Sequence, residues 1–293
     1  MRKLTPPDFE PLALFDKCIE GLEDSSETDR FKKYRPQMLA ANGQFEHESG
    51  SRSWCNLPRA RRGNPTQKIL GELTKGDLKG LYESEFINPK RAARKAYDQI
   101  KVAAKGYCPY CGGVGQVYTI DHYMPKAYYP AYSVTPLNLI PACRDCNTGV
   151  GASFPRLAEE QTLHPYIDDN HFFNERWIIA EIERTDPIHV KFHVSCPGHW
   201  PDIDIARASK HFSDFELARR YSLMVGEELS IIISQRRGML AFMTPDQYNA
   251  HLLDGANASG LAINGWRSAL YKALSETDWF CQADFNSAKG HLP

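Results

Sequence analysis

Two C-x2-C pairs, Cys108/Cys111 and Cys143/Cys146, stand 31 residues apart, and no other feature limits what this chain can fold into as tightly. A C-x2-C pair turns the backbone so that two thiolates reach one ion, and Gly112 and Gly113 permit the tight turn after the first pair. Together the pairs supply four sulfurs, which fill the tetrahedron of Zn2+. An ion enclosed in this way has no open position for water or substrate, so its role is to staple the chain. Cys18, Cys55, Cys196 and Cys281 are scattered and read as buried small apolar side chains, with no disulfide framework expected.

The staple encloses a segment with chemistry of its own. Gln116 to Ile120 is a β-type run ending in Asp121-His122, and Leu137 to Ala142 is a second apolar run with Asn138 near its start. Asn147 directly follows Cys146, where a helix is expected to begin. The order is strand, loop, strand, helix. Hydrolysis of a phosphodiester requires a base for the attacking water and a hard cation to neutralise the phosphate and the leaving oxygen. Imidazole titrates near neutral pH, which makes His122 the natural base. Carboxylate and amide oxygens suit Mg2+ or Mn2+, which makes Asp121 and Asn147 the natural ligands. Neighbours on a strand point to opposite faces, so Asp121 and His122 serve one site only if the strand ends or bends there, a change of direction that Pro125 fits.

In the order knuckle, Asp-His, Pro, Asn-Leu, knuckle, Asn, residues 106–150 resemble the zinc-stapled form of the HNH (ββα-metal) endonucleases. The resemblance implies that His122 is the general base and that Asp121 and Asn147 hold the catalytic divalent ion. It makes Asn138 the middle Asn, which ties the loop and orients the base. It also implies a nick or break that leaves a 5′-phosphate and a 3′-hydroxyl. The final His of the family name is Asn147 here. A looser likeness, over DHYMPKAYYPAYSVTPLNLIPACRDCNTG and QTLHPYIDD, is to the HNH nuclease component of bacterial antiphage systems of the Septu and retron-associated type. It implies an antiviral defence role, with DNA as substrate and a co-encoded ATPase subunit as partner.

Outside this segment the chain reads as mainly helical. Asp8 to Leu22 and, less cleanly, Lys68 to Tyr82 carry apolar residues at helical spacing. Gly43 to Pro65, with Arg59, Arg61 and Arg62, is turn-rich and reads as a solvated loop or mobile insertion. Asn88-Pro89 starts a helix expected to stop at Gly106. One arc of that helix is apolar, through Ala93, Ala96, Tyr97, Ile100, Ala103 and Ala104. The opposite arc is basic, through Lys90, Arg91, Arg94, Lys95, Lys101 and Lys105. Trp177 to Glu183 and Ile188 to Val194 suggest a hairpin, and helical sequence follows over Ile205 to Ile233 and Ile263 to Leu274. The expected class is α+β: a mainly helical chain around a small zinc-stapled ββα core, with a β-hairpin after it. Residues 1–104 form the helical N-terminal region, 105–170 the nuclease core, and 171–293 the hairpin with a helical C-terminal region.

Thirty-five basic and 36 acidic side chains give a formal charge of -1, which excludes a polycation that coats nucleic acid by bulk charge. Contact must come from local groups. The candidates are Lys90, Arg94, Lys101 and Lys105 on the basic arc, and Lys126 and Tyr128 in the loop after the base. His164, in LHPYIDD, reads first as a buried structural histidine and second as a phosphate contact. No apolar run is long enough for a membrane span, and the N-terminus lacks the apolar stretch of a signal peptide, so a soluble cytoplasmic protein is expected. Two alternatives stay open: a non-catalytic zinc module that binds nucleic acid or a protein partner, and an HNH nuclease acting on RNA.

Overall fold

A computed structural model describes residues 1–149 and 155–286. Its contacts divide the chain into two compact units, one of residues 3–109 and 115–168, the other of residues 1–2, 110–114 and 169–293.

The first unit opens with helix α1 (Ala13–Glu20), which buries Leu14, Phe15, Cys18 and Ile19. The expected start at Asp8 moves to Ala13 because Pro7 and Pro11 hold the residues before them in extended backbone. Helix α2 (Ser25–Lys33) is capped by Asp24, whose carboxylate accepts the Ser26 amide at 2.8 Å. Helix α3 (Arg35–Ser51) replaces the first part of the expected loop. Gly43 read as a turn, yet Met38, Ala41, Phe45 and Ser49 continue one buried face past it, and packing outweighs the roughly 1 kcal/mol helix penalty of glycine. The rest of that loop is held in place. Trp54 is fully buried and donates its indole N–H to Ser49, and the Ala60 amide donates to the Tyr128 carbonyl at 2.7 Å.

The helix expected over Lys68 to Tyr82 is helical only in its second half. Gly71, at φ 59°, turns a short hairpin of β1 (Lys68–Leu70) and β2 (Leu73–Thr74). A Thr74/Asp77 capping box then starts α4 (Lys75–Gly80), which runs into a π-helical turn over Leu81–Phe86. The following helix, α5, spans Arg94–Ala103 and buries Ala96, Tyr97 and Ile100. Its expected start at Pro89 is displaced because residues 88–96 are joined by tighter i→i+3 bonds, from Arg91 to Asn88 and from Arg94 to Arg91. Lys90 therefore precedes the helix, Lys105 follows it at φ 52°, and Ala103 is exposed.

The enclosed segment folds in the expected order. Strand β3 (Thr119–His122) pairs antiparallel with β4 (Leu139–Ala142), with Asp121 opposite Ile140 and His122 opposite Leu139. Helix α6 (Arg144–Gly149) follows and packs on β3. The unit's core joins α1 to α5 with Ile120, Val134 and Leu139 of this segment.

The second unit contains the short helix α7 (His171–Asn174) and the antiparallel hairpin of β5 (Ile178–Glu183) and β6 (His189–Val194). Helices α8 (Asp202–Asp214) and α9 (Leu217–Arg237) share the run expected as helical, parted at Glu216, where φ is 50°. Helices α10 (Pro245–Ala256), α11 (Trp266–Ser275) and α12 (Asp278–Gln282) complete it. Asn264 is the buried polar pin of this unit: its amide oxygen accepts from the Trp177 and Ile178 amides, and its amide nitrogen donates to Phe172 and Glu175 carbonyls. No helix among the described residues is long and apolar enough to cross a membrane.

Candidate active site

The two knuckles come together. The sulfurs of Cys108, Cys111, Cys143 and Cys146 all lie within 4.8 Å of one another, and all four residues are buried. Tetrahedral zinc with bonds of about 2.3 Å places its sulfurs roughly 3.8 Å apart, so the donor set fits the ion. The first knuckle turns through Gly112 and Gly113, at φ 68° and 103°, and closes with the Cys108 amide on the Gly115 carbonyl. In the second, the Cys146 amide points at Cys143 Sγ, 3.5 Å away, in the first turn of α6. Of the scattered cysteines, Cys18 and Cys281 are buried as expected, while Cys55 and Cys196 are only partly so.

The staple holds the end of β3 beside α6, and between them opens a cleft of about 380 Å3. Asp121, His122 and Asn147 all line it, with Lys126, Tyr82 and Tyr97. Strand β3 stops at His122 and the chain turns at Pro125, whose carbonyl accepts the Tyr128 and Tyr129 amides. That turn resolves the alternation problem: adjacent residues on a strand would face apart, yet both border one space.

His122 is nearly buried, and its Nε2 lies 2.9 Å from the Ser133 carbonyl. A carbonyl oxygen can only accept, so Nε2 carries the proton and Nδ1 is left as the proton-accepting nitrogen. Burial, and after it the Lys126 ammonium, hold the imidazole pKa down to about 3, against the pull of the Ser133 carbonyl. The ring is therefore neutral at neutral pH. Tyr82, on the π-helical turn, packs edge-on against it at 4.4 Å and donates its hydroxyl to the Ile120 carbonyl at 3.2 Å.

Asp121 accepts the His122 amide at 2.8 Å. Burial pushes its carboxyl up to about 7, and the His122 amide offsets this only in part. Asp121 and Asn147 thus bring a carboxyl and a side-chain amide to one cleft, and oxygen donors of these types suit a divalent cation. Asn138 is fully buried and ties the intervening loop: its oxygen accepts the Met124 amide at 2.7 Å, and its nitrogen donates to the Tyr132 and Met124 carbonyls. The Ser133 hydroxyl donates to the Leu78 carbonyl, which fixes the peptide that holds His122.

The other candidates are placed differently. Lys126 reaches the cleft but lies 3.1 Å from Glu83 and 4.3 Å over the Tyr82 ring. Tyr128 follows the cleft-lining Ala127 and carries the Arg59 guanidinium 3.8 Å over its ring. His164 is fully buried outside the cleft, stacked on Trp54, with its Nε2 at the Leu137 carbonyl and its Nδ1 accepting the Tyr166 amide. Both ring nitrogens are thus engaged inside the fold. The basic arc is also partly engaged: Arg91 pairs with Glu23 and Glu85, Arg94 with Asp98, and Lys101 donates to the Tyr118 carbonyl. Lys90, Lys95 and Lys105 are exposed. Tyr82 and Glu83 were not legible as site residues; both come from a turn 36 or more positions upstream of His122, and a single tyrosine in a helical run carries no signal.

The HNH endonuclease family model matches residues 108–153, the stretch that contains the knuckles and the cleft. No solved structure matches the chain. The comparison with curated proteins extends the likeness far beyond this segment. Protein ea31 of Escherichia phage lambda is 32% identical over 292 residues, spanning 96% of this chain and 99% of that protein. Agreement over that length places both units in one lineage: the chain belongs to the family of phage lambda protein ea31, and its central segment is an HNH endonuclease domain.

Proposed function

We propose that the protein is a divalent-metal-dependent endonuclease that hydrolyses DNA phosphodiester bonds in the cleft of Asp121, His122 and Asn147. The observation that carries this reading is that the three side chains line one space although they come from a strand end and a separate helix. A Mg2+ or Mn2+ ion held there by the Asp121 and Asn147 oxygens would neutralise the phosphate and the leaving oxygen. His122 Nδ1 takes the proton of the attacking water, while the Ser133 carbonyl keeps the opposite nitrogen protonated and the ring in register. An incoming phosphate adds negative charge beside the imidazole, which raises its pKa toward the range where proton acceptance is efficient. Asn138 positions the base by holding the loop that carries Ser133. Lys126 and Tyr128 border the path of the phosphates, with Lys90 and Lys105 further out.

The antiviral role and the co-encoded ATPase partner are supported by the resemblance of the DHYMPKAYY to RDCNTG stretch. The second unit suits a partner because Leu223, Met239 and Phe242 are each more than 70% exposed there. The test of the central reading is cleavage of plasmid and of single-stranded DNA with Mg2+ or Mn2+ by the wild type and His122→Ala. We expect the variant to lose two to four orders of magnitude, roughly the contribution of a general base. Equal cutting by both proteins would remove the cleft from the reaction and leave the zinc module as a binding scaffold.

A further inference from the structure

Two arginine–tyrosine pairs lie just outside the cleft. Tyr118 immediately precedes Thr119, which lines it, and Tyr128 immediately follows Ala127, which also lines it. The chain from one to the other is strand β3 followed by the turn at Pro125, and the cleft-lining Thr119 to His122 and Pro125 to Ala127 lie between them. The Tyr118 ring is 61% exposed, an unusual position for a large aromatic side chain beside a packed sheet. The Arg144 guanidinium lies 4.6 Å from its ring centroid, and the Lys101 ammonium is bound to its carbonyl at 2.8 Å. Arg144 and Asn147 are three residues apart on α6, so they share one face, and the pair sits one helical turn from the cleft. At the other end, Arg59 lies over Tyr128 in the same way, at 3.8 Å.

We propose that Tyr118 and Tyr128 are stacking platforms for bases of an unpaired polynucleotide strand that crosses the cleft, with Arg144, Lys101 and Arg59 beside its phosphates. This rests on the nuclease reading and narrows its substrate to strands with unpaired bases. An aromatic ring stacks on the face of any base, provided that the base is not already stacked within a duplex. An arginine on one face of the ring fixes its orientation and leaves the other face for the base. The charge distribution points the same way. Gripping a duplex relies on a run of uncommitted cations, whereas the basic arc is interrupted: Arg91 and Arg94 are held by Glu23, Glu85 and Asp98, Lys90, Lys95 and Lys105 are exposed, and the chain as a whole is near neutral.

The experiment measures binding by fluorescence anisotropy with the full-length zinc-loaded His122→Ala protein in Mg2+, using labelled DNA of about 16 nucleotides as a single strand and as a matched duplex. The single strand is expected to bind about ten-fold more tightly or better. Adding Tyr118→Ala should weaken the single strand by about ten- to a hundred-fold while moving the duplex less than about two-fold, and Tyr118→Phe should restore binding. A duplex bound as tightly as the single strand, or a Tyr118→Ala loss equal on both, overturns the inference. An RNA strand of the same sequence, bound more tightly than the DNA and with the same dependence on Tyr118, supports the platform and identifies RNA as the source of the strand. Failure of the nuclease reading is seen separately, as cleavage of the labelled single strand by the wild type in Mg2+ that survives in His122→Ala.

Discussion

His122 and His211 are anchored alike in the two units and surrounded differently. Each ring places Nε2 2.9 Å from a backbone carbonyl, that of Ser133 for one and of Tyr110 for the other. Each is held by burial to a pKa of about 3. Around His211 the rings of Phe215 at 4.7 Å between centroids, Tyr110 at 6.3 Å and Trp177 at 6.4 Å close in, and the N-terminal ammonium, Arg207 and Cys111 also act on it. His122 meets one aromatic edge, Tyr82, and otherwise borders a cleft with a carboxylate, an amide and an ammonium. Fixing a neutral tautomer is therefore a general way to bury imidazole. It becomes chemistry only where oxygen donors and space for a phosphate adjoin the ring.

The strongest way to break the comparison is to remove the staple beside the cleft. Cys143 and Cys146 flank the start of α6, which carries Asn147 and packs on the strand that ends at His122. Structural zinc sites contribute roughly 10 kcal/mol to folding. Cys143→Ala, or metal removal by a chelator, is expected to abolish the cooperative thermal transition, and elemental analysis is expected to give one zinc per chain for the wild type and none for the variant. A melting temperature unchanged by Cys143→Ala would mean that the sulfurs are not a staple.

The two histidines are separated next by their own replacement. His122→Ala should reduce cleavage by about two to four orders of magnitude and leave the melting temperature within a few degrees of wild type. His211→Ala should do the opposite, lowering stability by about 2–4 kcal/mol through a cavity and an unpaired carbonyl, with cleavage per folded molecule unchanged. Comparable losses of cleavage in both variants would erase the distinction between site and core.

Two buried amides sharpen the same contrast on a smaller scale. Asn138 and Asn264 are both fully buried and tie backbone groups together in their respective units. Replacing either by Ala should cost about 2–3 kcal/mol in denaturant unfolding, because backbone donors are left unpaired. Only Asn138→Ala should also slow cleavage per folded molecule, since its loop carries the carbonyl that orients His122. A rate unchanged in Asn138→Ala would show that the loop holds its shape without the amide.

The difference between the regions was partly visible in the sequence. The cysteine spacing, the alternating run into Asp121-His122 and the position of Asn147 are local signals, and the strand–loop–strand–helix order follows from them. Turn chemistry misled where packing prevailed: Gly43 sits within α3 because Met38 and Phe45 face the core. Gly71 did the reverse and turns a hairpin through the first half of what read as a helix. The support of the cleft was not legible. Tyr82, Glu83 and the Leu78 carbonyl approach from a capping-box helix and a π-helical turn far upstream, and only the tertiary fold brings them to Ser133 and Lys126. The basic arc had the right periodicity, but its partners Glu23 and Glu85 lie on other elements.

The smallest expected effect is a slope with pH. His211 is held by burial at a pKa of about 3 in the folded chain against 6.5 for a solvated imidazole, so between these values the unfolded chain takes up a proton that the folded chain excludes. The stabilisation from keeping the ring neutral is complete above about pH 6.5 and is lost as the pH falls toward 3. Acid also protonates the zinc thiolates, and Cys111 acts on His211, so the comparison is made above the pH at which zinc is released. His211→Gln, which keeps an N–H donor, should flatten the dependence of unfolding free energy on pH between 6 and 4 by up to about 1.4 kcal/mol per pH unit, one proton's worth. His122→Ala should flatten it to a similar extent, since burial holds both rings at about 3. A slope in His122→Ala unchanged from wild type would mean that the cleft solvates the imidazolium, and that of the two rings only the one in the core is kept neutral by burial.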